Sequence, residues 1–397
     1  MRKFSRIFAV LAVAVFTLSM LVGCSSDEIT VFDALNKMSD IKSMETDSVI
    51  TFKMDVSGIS EEEKALNGGI VTALNGSKLD ISQKIIRNDK KTVAKQQAGM
   101  KMDFMGMQMN MGVWADVNLA GDKPKINQII SIPPILTMSM PEQFRGKQYM
   151  VMDFENMLSE TDMPSDYLKK LMNLGREFEP KLTMILKNYI LNVKDAPKLI
   201  TAKGKGAIND KEVSVYQLKL DDAAFKTLLG TTVNDLSQRK DVMSFINELA
   251  HAAIETAAYE DLDVDTAKAE FDESFEMVQD QIPVFLEEFN RVMEVFKDVK
   301  IIGDKGVVVD YFIDNNGYII KQNLSINIVV DAAAIEKAMN EVTGNDAESY
   351  AQGVYNLEID VKSDTKNINK PVNIEFPKVN AENSFNYSEF MNSTAEF

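Results

Sequence analysis

From Asp47 to Val56 the chain alternates. Ser48, Ile50, Phe52, Met54 and Val56 fall on one parity, and Val49, Thr51, Lys53 and Asp55 on the other. Successive side chains on a strand point to opposite faces, so this predicts a half-buried strand. Before it, Val31, Ala34, Leu35, Met38 and Ile41 recur at helical spacing and predict an amphipathic helix over 30–44. Leu79 to Ile86 reads as a second strand, and Thr92-Val93-Ala94 as the start of a third. The apolar stretch 127–140 contains Pro133-Pro134 and predicts at best a broken or edge strand. Gln148 to Asp153 is again a strand. From Phe154 to Asn192 the period becomes helical, with a start signal at Met163 to Asp166 and Pro180 expected to divide two helices.

The second half repeats the change of period. Ile200–Ile208 and Val213–Leu218 flank Asn209-Asp210-Lys211 and predict a hairpin. Asp221-Asp222 caps a mostly helical region reaching Asp298, with breaks expected near Gly230 and around 261–265. Phe285, Phe289, Val292, Met293 and Phe296 form a broad apolar stripe, open to two readings: packed core, or a ligand-facing surface. Strands follow at 299–302, 306–313, 318–330 and 355–362, with a turn at 314–317 and a short helix near 331–340. Ile374-Glu375-Phe376-Pro377 closes the ordered region, and the tail after Asn380 is expected to be peripheral.

Within this pattern one patch is chemically unusual. Met105, Met107, Met109 and Met111 sit two apart, so on a strand their thioethers share one face. One reading is an inner face packed against, or lining, an apolar interior, which flexible Met fills well. The other is a Cu(I) site, since soft thioethers select that ion. Copper sites usually also draw on His or Cys, whereas the sole histidine, His251, lies far along the chain. Trp114 follows closely and is expected to cover the same interior. The candidate lining is therefore Met105, Met107, Met109, Met111 and Trp114.

The N-terminus adds a location. Arg2, Lys3 and Arg6 precede an apolar run from Ile7 to Leu21, and Gly23 precedes the only cysteine, Cys24. These are the parts of an export signal. The run is about 15 residues, shorter than the roughly 20 that a spanning helix needs. Leu21-Val22-Gly23-Cys24 resembles a bacterial lipobox. The resemblance implies cleavage after 1–23 and a diacylglycerol thioether on Cys24, a membrane anchor with two acyl chains. Residues 24–29 then read as a short lipidated tether, and 30–380 as one domain with helical insertions at about 154–198 and 221–298. Residues 381–397 would be the C-terminal tail. The expected location is extracytoplasmic.

Charge and composition narrow the function classes. The formal net charge of −17 becomes about −20 once the three basic residues of 1–23 are removed. Such a surface repels nucleic acid and anionic headgroups, so no nucleic-acid partner is expected. One histidine excludes His-based triads and the zinc protease motif, and neither a P-loop nor a dinucleotide fingerprint is present. Asp261, Asp263 and Asp265 open like a calcium loop, but Thr266 stands where glycine belongs; Asp265 capping a helix from Thr266 is the favoured reading. No cofactor, metal or enzymatic activity is expected.

Several stretches carry a further resemblance: Phe32-Asp33-Ala34-Leu35-Asn36-Lys37-Met38, Tyr311-Phe312-Ile313-Asp314-Asn315-Asn316-Gly317-Tyr318, and Asn369-Lys370-Pro371-Val372-Asn373-Ile374-Glu375-Phe376-Pro377. In this order of elements the chain resembles the LolA/LolB-like lipoprotein carriers and the related LppX/LprG-type lipoproteins, in an uncharacterised Gram-positive branch. The resemblance implies an α+β fold: a curved antiparallel sheet or half-open β-barrel, with helices covering an apolar cavity. It also implies binding of acyl-chain or other lipid-like ligands, or a sensing role with an envelope protein as partner. The mid-chain helical block is larger than such a lid requires.

Overall fold

A computed structural model describes residues 25–104, 106–120, 125–154, 167–193, 197–257, 263–344 and 352–394. Twelve strands form one curved, unclosed sheet in the order β12-β6-β5-β4-β3-β2-β1-β11-β10-β9-β8-β7. The strands are β1 Ser43–Ser57, β2 Lys78–Arg87, β3 Val93–Phe104, β4 Met107–Asn118, β5 Lys125–Ser131, β6 Tyr149–Asp153, β7 Ile200–Ile208, β8 Lys211–Leu220, β9 Ile302–Asp314, β10 Ile319–Asp331, β11 Val354–Lys366 and β12 Ser384–Asn386. All neighbours are antiparallel except β12, which runs parallel to β6. The fold is the expected α+β class.

Alternation separates the two faces. Around Ile50, Phe52 and Met54 of β1 the partners are Val361, Ile359 and Leu357 of β11, so this face is apolar. The opposite face carries Lys53, Asp55, Glu358, Asp364 and Lys366 and is crossed by ion pairs such as Lys366–Asp47 at 2.7 Å and Lys321–Asp364 at 3.3 Å. Exposed pairs of this kind stabilise little. Their main effect is to make the outer face costly to bury.

Helices pack on the apolar face over β7–β10. The first, α1 (Ser26–Ser39), starts four residues before the predicted position because Ser25 and Glu28 form a reciprocal capping box. Residues 26–29 are therefore helix rather than tether. Glu28 is fully buried, and its carboxylate accepts from Ser25 N at 2.9 Å and Leu199 N at 3.0 Å, fastening α1 to the start of β7. The helix ends at the β9–β10 turn, where the Lys37 ammonium lies 4.7 Å from the Tyr318 ring centroid. The next helix, α2 (Glu61–Asn75), joins β1 to β2 behind a second capping box, Ser60 with Glu63. A short helix, α3 (Pro134–Thr137), lies between β5 and β6.

The helical block contains α4 (Tyr167–Asn192), α5 (Asp222–Leu236), α6 (Lys240–Ala257) and α7 (Val264–Val295), followed later by α8 (Ala332–Thr343) and α9 (Tyr387–Thr394). Pro180 does not divide α4, and Gly230 does not break α5. Pro180 is exposed, so the carbonyl that its missing N–H frees can be hydrated. The α7 helix begins at Val264 with Asp263 as its N-cap, accepting from Thr266 N at 3.2 Å. The cap is thus two residues earlier than expected; Asp261 lies outside the described residues.

The main core lies where α1, α4 and α5 meet β7–β10. It contains Val31, Tyr189, Leu199, Ile200, Leu218, Leu228, Val309 and Tyr311. Within it the Tyr189 hydroxyl donates to Thr232 Oγ1 at 2.8 Å. Burial pushes the Tyr311 hydroxyl up to about 12.

The C-terminal region is not peripheral. Residues 367–383 run as an irregular strap over the charged face. Ser43 Oγ donates to the Lys370 carbonyl at 2.6 Å, Lys84 Nζ donates to the Asn373 carbonyl at 3.1 Å, and Lys95 Nζ lies 5.6 Å from the Phe376 centroid. The strap then delivers β12 to β6 and buries Phe385 against Phe144, with ring centroids 4.8 Å apart.

Candidate functional site

One row of paired residues crosses nine strands on the apolar face: Ile200, Leu218, Val309, Leu324, Val361, Ile50, Leu79, Met102 and Met109. Its burial changes midway. Ile200, Leu218 and Val309 are buried beneath α1, α4 and α5. From Leu324 to Met109 every member is only half-buried, as are the flanking Phe52, Met54, Ile81, Ile359, Val113 and Ile130. A face this apolar and this wide is ordinarily covered, because each large apolar side chain gains about 1.5–3 kcal/mol from full burial.

The methionines lie at one end of this face. Met102 pairs with Met109 and Met100 with Met111, so four thioethers form a block two strands wide. Directly paired side chains have Cβ atoms about 5 Å apart, close enough to touch. Met107 ends the strand pairing opposite Phe104 and is largely exposed. Met105 and Cys24 lie outside the described residues. Trp114 does not share this face. It stands three residues from Met111, an odd step, and so points to the charged side in a row with Ile129 and Val151. There its ring lies over Gly112 and edge-on to Tyr149 at 6.3 Å, with Nε1 buried and unpartnered.

Met100, Met102, Leu79, Ile81 and Val361 were not singled out from sequence as neighbours of the Met111 stripe. The alternation of each strand was readable; the register that brings them together was not.

Toward the other end the same face becomes polar without becoming acidic. Thr46, Ser48, Gln83, Gln96, Gln128, Ser363 and Thr365 all carry the parity of Ile50. Ser48 and Ser363 hydroxyls meet at 2.8 Å. The face therefore runs from thioether and aliphatic groups to hydroxyls and amides.

Other features with chemical potential resolve differently. His251 Nε2 meets Asp272 Oδ1 at 2.7 Å, joining α6 to α7 at the surface. Hydrogen bonds from Asn247 and His251 hold the Asp272 carboxyl below the usual range. Among the described residues no three His, Cys, Asp or Glu side chains come together as a metal set. A groove of about 650 Å³ lies between α6 and α7, with Gln238, Lys240, Ser244, Asn247, Phe275 and Gln279 in its walls. None of the candidate lining residues borders it. Among the described residues no helix is long and apolar enough to cross a membrane.

The chain matches no family model and no curated protein. Among solved structures it is similar to the crystal structure of the Mycobacterium tuberculosis lipoprotein LppX, with 9% sequence identity and a TM-score of 0.26 over 88% of this chain and 100% of that chain. At that score the similarity supports no inference about ligand or partner.

Proposed function

We propose that the half-buried apolar face between β10 and β4 is a ligand surface, and that the protein is an extracytoplasmic lipoprotein, anchored through Cys24, that binds or carries an acyl-chain-like molecule without covalent chemistry. The observation that carries this is the change along one row of side chains, packed from Ile200 to Val309 and half-open from Leu324 to Met109. Ligand sites are typically concave and mostly apolar with a few placed polar groups. Met100, Met102, Met109 and Met111 would meet the hydrocarbon, with Met107 at its edge. The hydroxyls and amides around Ser48 and Gln83 would take an uncharged polar head. Trp114, on the other face, is left out of this lining.

Native mass spectrometry with lipid extraction on the chain from Ser25 onward tests the proposal. The expected result is a reproducible acyl-containing ligand, lost in Ile81→Asp and Met109→Asp. An empty protein that also fails to take up a fluorescent acyl probe would overturn it. A second reading, an envelope protein-interaction or sensor module with a filled interior, is favoured by β7–β9, where the same row is fully packed. Capture of a specific envelope protein by an empty, probe-refractory chain would favour that reading.

A further inference from the structure

Three successive connections lie at one end of the strands. The first, α2, links the end of β1 to the start of β2; β3 ends at Phe104 and β4 begins at Met107; and 132–148 links β5 to β6. Each exposes large apolar side chains: Ile70 at 59%, Met107 at 48%, and Ile135, Leu136 and Met138 at 52%, 45% and 74%. A monomer ordinarily exposes such residues singly, so their collection on neighbouring connections is unusual.

A second observation is independent of exposure. A quarter of this chain is charged, yet 65–77, 104–115 and 126–141 contain no Asp, Glu, Lys or Arg. They form the body of α2 after its first turn, the β3–β4 tip and the first part of the β5–β6 connection; the charges of these connections stand outside them, at Glu61, Glu62, Glu63 and Lys64 and at Glu142, Arg145 and Lys147. Removing charges from water is the dominant cost of entering a low-dielectric phase, and these segments carry none.

A third observation fixes what lies opposite. Ser25 is held by Glu28 against the start of β7, which belongs to the same end of the sheet, since Ile200 pairs with Leu218 close to the last residue of β8. The apolar run 7–21 and Cys24 immediately precede Ser25. The thioether end of the apolar face also lies here. One surface can meet the anchor, the charge-free stretches and the thioether end of the apolar face together.

We infer that this rim docks into the interfacial layer of a lipid bilayer, with Met107, Ile135, Leu136 and Met138 entering it and the strands standing away from the membrane. Contact depends on apolar insertion rather than on anionic headgroups, because the chain is strongly acidic and the stretches that carry the inserting side chains hold no charge. The inference rests on the anchor reading for its orientation and adds a second membrane contact at the other edge of the sheet.

The test uses the full-length lipoprotein in phosphatidylcholine vesicles, with an environment-sensitive fluorophore attached at Met138→Cys and, as control, at Lys211→Cys on the opposite end. Emission at position 138 is expected to shift to the blue and to be quenched by shallow doxyl lipids, whereas position 211 is unaffected. Adding Ile135→Asp and Leu136→Asp should abolish the quenching while the protein still floats with the vesicles. Equal quenching at the two positions would overturn the inference. So would a blue shift that needs no vesicles and grows with protein concentration, which assigns the rim to a second copy of the chain. Flotation of Cys24→Ser in the Ile135→Asp, Leu136→Asp background reads the anchor separately: undiminished flotation there refutes the anchor reading, while quenching at position 138 in the chain with an intact rim still decides the rim.

Discussion

Glu28 offers the sharpest test of how this fold is fastened. Its side chain is fully buried, and its two oxygens accept from the backbone N–H groups of Ser25 at 2.9 Å, Leu199 at 3.0 Å and Ile200 at 3.5 Å. Glu28→Ala removes every one of these acceptors. A buried donor left unpaired costs about 1–3 kcal/mol, and loss of the capping interaction adds about 1 kcal/mol. Counting Leu199 fully and the longer Ile200 contact in part, the loss is about 3 kcal/mol. That is a large share of the roughly 5–15 kcal/mol that stabilises a domain. Urea unfolding followed by circular dichroism should show the midpoint falling by about 1 M, for a slope of roughly 3 kcal/mol/M. Glu28→Gln keeps one acceptor oxygen and should fall between the two. Asp33→Ala, on the exposed side of the same helix, breaks only a surface pair with Lys187 and should move the midpoint little. If Glu28→Ala unfolds together with the native chain, the carboxylate is not what joins α1 to β7.

Other consequences can be checked with the same material. Tyr311 has a folded pKa raised to about 12, so its contribution is present below about pH 10 and is lost as pH rises toward 12, up to about 3 kcal/mol; Tyr311→Phe should flatten the alkaline fall in urea midpoint, and an unchanged fall would refute the assignment. Thr232→Val strands the buried Tyr189 hydroxyl and should cost about 1–3 kcal/mol, most of it recovered when Tyr189→Phe is added, as read by a double-mutant cycle. At Gly112 an added Cβ would lie 2.4 Å from the Trp114 ring, so Gly112→Ala must displace the only tryptophan; its emission should shift to the red, and an unchanged spectrum would count against this packing.

What could be read from the sequence follows from what leaves a local mark. The alternation of β1 was legible because one face is apolar and the other charged, and the β9–β10 turn because Asp314-Asn315-Asn316-Gly317 supplies its backbone requirements. Helix α2 went unpredicted although Ser60 and Glu63 carry its capping-box spacing. The division at Pro180 failed because proline propensity is a local penalty, overridden when the residue faces solvent. The tail was misread because three residues of β12 carry too little pattern to announce a strand; burial of Phe385 against Phe144 depends on a fold already formed. The methionine stripe was legible along β4, but its partners Met100 and Met102 were not, and Trp114 was assigned to the wrong side by proximity where parity decides. Alternation is a property of one strand, while the site is a property of register between strands.

The pairing of β1 with β11 has a consequence for the order in which the molecule assembles. Residues 45–57 are zipped to 354–366 along their whole length, and this seam joins the β2–β6 half of the sheet to the β7–β10 half. Each half consists largely of neighbours in sequence and can form early. The seam joins segments some 300 residues apart and must wait for nearly the last of the chain. A polypeptide made from its N-terminus therefore holds two partial sheets apart until the residues of β11 are present, and the apolar face acquires its full width only when that seam closes.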